Sequence, residues 1–191
     1  ATGAYRLEGG VVISRGVVRL RAGAARYDPR TRAVDATGGV LLTDATRAIA
    51  AEGIHAVLDG DFEASGVVVF FKEGPVDLTG ATTPAAAGAC GRNALTARAG
   101  LLAGGRGGAL RLEGARVTPC DCGEGAPSWE LRAAAAEVHP GERVVLRWPV
   151  LYVTPRFLLI ERPVPIFTFP WVALPLGDRV TGLLAPELGT S

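Results

Sequence analysis

No stretch of this sequence stays apolar long enough to cross a bilayer as a helix, because proline or charge breaks every long apolar run. A concentration of charge is missing as well. The formal net charge is +1 and the arginines are spread opposite the apolar positions, so no basic face argues for nucleic acid. Histidine is limited to His55 and His139, which leaves no metal-spaced cluster and no nucleophile–base pair. Gly104 to Gly108 lacks the strand and GK[ST] context of a phosphate loop. Asp59, Asp61 and Glu63 flank a turn, the usual place of solvated acids, and do not read as a catalytic pair. The expectation is a protein that is not an enzyme and that needs no metal or other cofactor. Cysteine gives less. Cys90, Cys120 and Cys122 are an odd set, and Cys120-Asp121-Cys122 is too tight for an easy internal disulfide. A zinc site would need all three plus a histidine; small buried or free thiols are the plainer alternative. No basic-then-apolar segment follows Ala1, which puts any targeting segment outside these residues.

What the chain does have is glycine, 26 residues, and proline, 13, at a density that suits strands and turns better than helices. Its 191 residues suffice for one sizeable domain. The organising stretch is Leu20 to Leu42. Leu20, Ala22, Ala25 and Tyr27 make one apolar face with a change of phase between Ala22 and Ala25, which reads as a β-bulge. Asp28-Pro29-Arg30-Thr31 is a turn, and Val34, Ala36, Gly38, Val40 and Leu42 return in alternation. Ile49, Ala51, Ile54 and Ala56 repeat the first arm, followed by the Asp59-Gly60-Asp61 turn. Phe62, Ala64, Gly66, Val68 and Phe70 then read as an unbroken second arm. Leu131, Ala133, Ala136 and Val138, a Pro140-Gly141 turn, and Val144, Leu146 and Trp148 form a later copy; Leu95-Thr96-Ala97 opens a degraded one. Recurrence at roughly 30 residues means stacked hairpins that bury their apolar faces against neighbours.

Tyr5, Leu7, Gly9, Val11 and Ile13 form a first strand at an edge, with no proline to prevent strand addition by another chain. Positions 74 to 108 read as short strands joined by loops; Leu110, Leu112, Ala115 and Val117 resume the pattern, and Thr118 to Ser128 is a loop. Trp129 and Trp148 suit core or rim packing. From Pro163 to Pro175 the proline density forbids a central strand or a helix interior, and an extended segment packing Phe167, Phe169 and Trp171 against a surface is expected. The end at Ser191 has no terminating feature, as if a longer chain followed.

Three segments carry a family resemblance: YRLEGGVVI at 5–13, the LRAGAARYDPRTRAVDATGGV unit, and Val117-Thr118-Pro119-Cys120 with Trp129-Glu130-Leu131-Arg132-Ala133. With the closing PIFTFPWVALPLGDRVTGLLAPELGTS, the chain resembles the N-terminal, periplasmic (OstA-like) part of the LptD family of lipopolysaccharide-assembly outer-membrane proteins. Val180-Thr181-Gly182 and Ala185 depart from that family's closing block. The resemblance implies an all-β, open β-jellyroll (taco-like) at 1–160 and a Pro-rich connector at 161–191 leading to a C-terminal outer-membrane β-barrel. It implies lipopolysaccharide as ligand, an LptA-like bridge protein docked by edge-strand addition, and an LptE-like lipoprotein partnered through the barrel. It places the domain at the periplasmic face of the outer membrane and implies a disulfide from Cys120 to the barrel. The lipid-binding wall would be Tyr5, Leu7, Val11, Ile13, Leu20, Ala22, Val34, Ala36, Val40, Leu42, Ile54, Phe62, Val68, Phe70, Leu112, Val117, Leu131, Ala133 and Leu146. Many of these are small, so the walls are expected to enclose space; a filled sandwich core would show the same alternation. A free-standing LptA/LptC-like bridge subunit, or a structural β-repeat adaptor, is the alternative role.

Overall fold

The computed structural model describes residues 3–44, 47–72, 78, 80–89, 93–119, 127–155 and 162–176. Alternating small apolar and polar residues build twelve strands there. They are β1 (Tyr5–Arg15), β2 (Val18–Asp28), β3 (Ala33–Thr43), β4 (Arg47–Val57), β5 (Phe62–Lys72) and β6 (Asn93–Gly104). After them come β7 (Leu110–Thr118), β8 (Trp129–His139), β9 (Arg143–Arg147), β10 (Val150–Val153), β11 (Val164–Thr168) and β12 (Trp171–Pro175). One short helix, α1 (Pro84–Ala89), interrupts the series. All strands join one antiparallel sheet, and β1 to β8 pair in chain order. β8 then carries β10 along Trp129–Arg132 and β9 along Ala135–His139. β11 pairs with β10 and β12 with β9, so the last hairpin is two lines, each broken once. The breaks are Trp148-Pro149 and Phe169-Pro170. Across them the ladder continues: the Trp148 N–H donates to the Pro170 carbonyl at 2.9 Å, and the Phe169 N–H to the Pro149 carbonyl at 3.0 Å.

A crease crosses the sheet through the middle of every long strand. In a flat strand, residues three apart face opposite sides. Here Ala22 and Ala25, Ala51 and Ile54, Ala64 and Val67, Ala99 and Leu102, Leu112 and Ala115, and Ala133 and Ala136 all enter the same apolar cluster. Between the members of each pair lies Gly23, Gly53, Gly66, Gly100, Gly114 or, in β8, Ala134. β1 and β3 step by four across Gly9-Gly10 and Gly38-Gly39, where the register with β2 and β4 slips. Two positions show why glycine is needed. A Cβ on Gly23 would stand 2.9 Å from the Gly38 carbonyl oxygen of the next strand. Gly66 has φ +58, and a Cβ there would strike the Glu52 side chain at 2.5 Å. In the last two lines the same bend is made by proline, with Trp148 at φ 49.

The crease folds the sheet back over itself. Arg15 lies at the β1–β2 turn, opposite Val18, whereas Asp59 lies in the β4–β5 turn at the far ends of the strands. An uncreased strand of that length would hold those ends roughly 35 Å apart. Yet the Arg15 guanidinium pairs with the Asp59 carboxylate. Between the two halves lies the main apolar cluster, contributed by β1 to β9 with Leu151, Val172, Leu174 and Leu176 at its margin. The architecture is thus all-β, an open jellyroll.

Two expectations for the middle of the chain fail. Residues 93–104 form a full-length strand, disguised in the sequence by the phase change at Gly100. Residues 84–89 form a helix: Thr83 caps it, its Oγ1 accepting from the Ala86 N–H at 3.1 Å, and Pro84 occupies the first helical position. The helix covers a second apolar cluster, Leu41, Ala48, Ala50, Leu78, Ala81 and Ala87, on the back of the sheet. Buried Lys72 ties it down by donating from Nζ to the Gly88 carbonyl at 2.8 Å.

The apolar interior as candidate functional site

Most of the wall expected from the sequence comes together in one cluster. Val11, Ala22, Ala36, Val40, Ile54, Leu112, Val117, Leu131, Ala133 and Leu146 are buried in it, and Ile13, Leu20, Leu42 and Phe62 pack partly buried against it. Val34 is buried as well, opposite Tyr27 and Ala56. Val68 and Phe70 are corrections. They lie on the back of the sheet against the α1 cluster, because the left-handed backbone at Gly66 reverses the phase of β5 without a slip in register and turns Val67, Val69 and Phe71 inward. Trp148 is a third. It packs in neither core nor rim but stands 71% exposed at the kink, while Trp129 packs against the interior as expected. Ala97, Ala115, Val138 and Val144, already on the repeated pattern in the sequence, belong to the same wall; Leu102 was missed, and the spacing of three from Ala99 across Gly100 would have found it.

The interior differs along its length. Val40, Val69, Leu102, Val117 and Leu146 are 0% exposed, so around them the two halves close on one another and exclude water. At the β1 edge the same face is open: Leu7, in register with buried Ala25, is 45% exposed, and Tyr5 is 59% exposed. The opposite edge, β11 and β12, is paired strand. Its prolines at 165, 170 and 175 are tolerated because only an edge strand can lack N–H donors on its free side. Phe167, opposite Leu151, is 58% exposed there and meets Phe169 edge to face, with centroids 4.8 Å apart. Pairing of 164–175 with 143–153 carries the sheet past the expected boundary at 160.

Charge is arranged around this interior, not in it. At the mouth between the halves Asp59 accepts from Arg15 and from Arg32 Nη2 at 2.7 Å, and its main-chain carbonyl accepts from Arg106 Nε at 2.5 Å. The Arg15 and Arg32 hydrogen bonds hold the Asp59 carboxyl below its ordinary value of 3.8. On the back, Asp35, His55 and Glu63 follow one another across β3, β4 and β5, and border a shallow hollow of about 310 Å³ with Thr37, Ser65 and Leu101. His55 Nδ1 is bonded to Asp35. Asp59 therefore lies at the mouth and Glu63 beside the hollow on the back, and the two do not converge as paired acids. Among the described residues no His, Cys, Asp and Glu side chains gather as a metal site, and no helix is long and apolar enough to span a membrane. Cys90, Cys120 and Cys122 lie outside the described residues, as does the closing block from Gly177 on.

No protein-family model and no curated protein matches the chain. Among solved structures, the crystal structure of LptH superposes with a TM-score of 0.47 at 11% sequence identity, over 78% of this chain and 94% of that one. LptH is the LptA-homologous periplasmic component of the lipopolysaccharide transport device of Pseudomonas aeruginosa.

Proposed function

We propose that this domain takes the acyl chains of lipopolysaccharide into its creased interior and passes them along, as part of a periplasmic bridge that ends at an outer-membrane barrel. The observation carrying the reading is the interior itself: one apolar cluster running from β1 to β9, walled largely by alanine and valine and open at the β1 edge. Small facing side chains let the halves part without stranding large groups in water. Each methylene taken in contributes roughly 0.8 kcal/mol, so a twelve-carbon chain gains on the order of ten. Because the wall is uniform, that gain changes little with position, which favours sliding over fixed binding. The motif resemblance at 5–13, 20–40, 117–133 and 165–191 supports the same role, with an LptA-like protein docking on β1 and an LptE-like lipoprotein reached through the barrel. Activity as a carrier requires no catalytic group.

Photocrosslinking from inside cells that export lipopolysaccharide tests this. A probe at Val40, in the sealed interior, should give a lipopolysaccharide adduct, and a probe at Phe70, on the back, should give none. No adduct at Val40, or equal yield at both, removes the proposal.

A second reading has an observation of its own. Residues 164–175 belong to the sheet, as they would in a self-contained bridge subunit that lacks a barrel. Intact mass of the protein from its own envelope separates the two: near 19.7 kDa for a subunit, far above it for a chain running into a barrel.

A further inference from the structure

Three arginines from distant parts of the chain converge on one exposed residue at the mouth. Arg15 comes from the end of β1, Arg32 from the turn before β3, and Arg106 from the loop after β6. They take both carboxylate oxygens and the main-chain carbonyl of Asp59. Asp61 is a second acid nearby, its Oδ1 2.5 Å from where a Cβ on Gly105 would be. No other carboxylate pairs with Arg15, Arg32 or Arg106 among the described residues. Three guanidinium groups, each a planar fork of donors, outnumber the single negative charge they hold. A phosphate carries more charge than a carboxylate and offers a third terminal oxygen, so it matches this set better than Asp59 does. The cluster also sits where the apolar interior meets water, the place an amphiphile's head group would occupy with its tails inside.

We infer that Arg15, Arg32 and Arg106 form a binding site for the phosphate of a phosphorylated amphiphile, in which the Asp59 carboxylate competes with the ligand. Placement of the tails rests on the proposed function; the phosphate contact does not. Phosphate binding displaces Asp59 from Arg15, and with it the one described ion pair that ties the β1–β2 turn to the β4–β5 turn across the mouth. Ligand arrival and opening are then the same event.

The test uses two probes on the whole chain: inorganic phosphate, read by ³¹P line broadening, and vesicles of phosphatidic acid or phosphatidylcholine, read by co-sedimentation. Asp59→Asn suits it, because asparagine accepts the left-handed backbone at φ 63 and only the charge is lost. It should bind phosphate roughly fivefold more tightly than the parent, the effect of removing one exposed charged competitor. Arg15→Gln with Arg32→Gln should lose binding, while Arg98→Gln, on the outer face of β6, should not. Vesicles of phosphatidic acid should sediment the protein and those of phosphatidylcholine should not. The site is overturned if Asp59→Asn binds phosphate no better than the parent, or if the double arginine variant binds it equally while keeping its strand circular dichroism. Phosphate binding without phosphatidic acid binding overturns the amphiphile as its source. A phosphate site intact alongside a silent Val40 crosslink would remove the carrier role and leave this site standing.

Discussion

The middle of the interior and its β1 edge are built from the same alternation, yet they behave as opposites. Around Val40 and Leu102 two half-sheets supply apolar partners and no water reaches the side chains. At Tyr5 and Leu7 the identical face has one neighbour strand, and among the described residues it stays largely uncovered. The difference shows that a strand's pattern tells which side is apolar, while covering of that side depends on what the fold brings opposite.

Four changes probe that contrast. Val40→Asp should have the largest effect, costing about 4 kcal/mol or more by placing a charge in a dry site, seen as a collapse of the urea midpoint. A shift under about 1 kcal/mol would mean the middle is wet. Next, Val67→Ser should cost about 2 kcal/mol, the transfer and hydroxyl penalty of a fully buried site. Val68→Ser, one residue away on the half-buried back, should cost less than about 1. Equal losses would contradict the crease at Gly66. Third, Val12→Pro on the exposed β1 edge should change stability little but abolish docking of a strand-adding partner, measured by pull-down or titration; retained binding would rule out β1 as the docking edge. The smallest effect belongs to Asp59. Its carboxyl is held below its ordinary value in the folded state, so its contribution is complete above that value and fades as pH falls through the lowered one. Acid should therefore loosen the contact between the β1–β2 and β4–β5 turns, with Asp59→Asn already loosened at neutral pH, as reported by hydrogen exchange at residues 15–18.

Much of the fold was legible. Ala22 and Ala25 in β2, and Ala133 and Ala136 in β8, disclosed the change of phase because both flanks are apolar and the gap is small, although the slips in register beside β2 fall on β1 and β3 and β8 has none. β5 misled because Gly66 and Val68 continue a plausible alternation after Ala64, and glycine carries no hydrophobic sign to mark where the phase turns. β6 was hidden by the same arithmetic at Gly100. The helix at 84–89 escaped because its signal is only a threonine, a proline and alanines, too short a run to show a period. The Arg15–Asp59 contact could not have been read at all: 44 positions separate the two residues, and only the folding of the sheet joins them. Nor could the second edge, where proline argued against a central strand and pairing on one side alone satisfied both facts.

The row of glycines from Gly9 to Gly114 also governs how the molecule can move. Because the fold line runs perpendicular to the strands, changing the angle between the covers rotates only a few backbone torsions in each strand and leaves the hydrogen-bond ladders on either side untouched. Widening would therefore ask little of the backbone, like a spine flexing while every page stays sewn, and its cost would lie in the apolar surface it uncovers; stiffening a single vertebra (alanine in place of Gly39, at φ +75 with open space around it) would be felt along the whole spine.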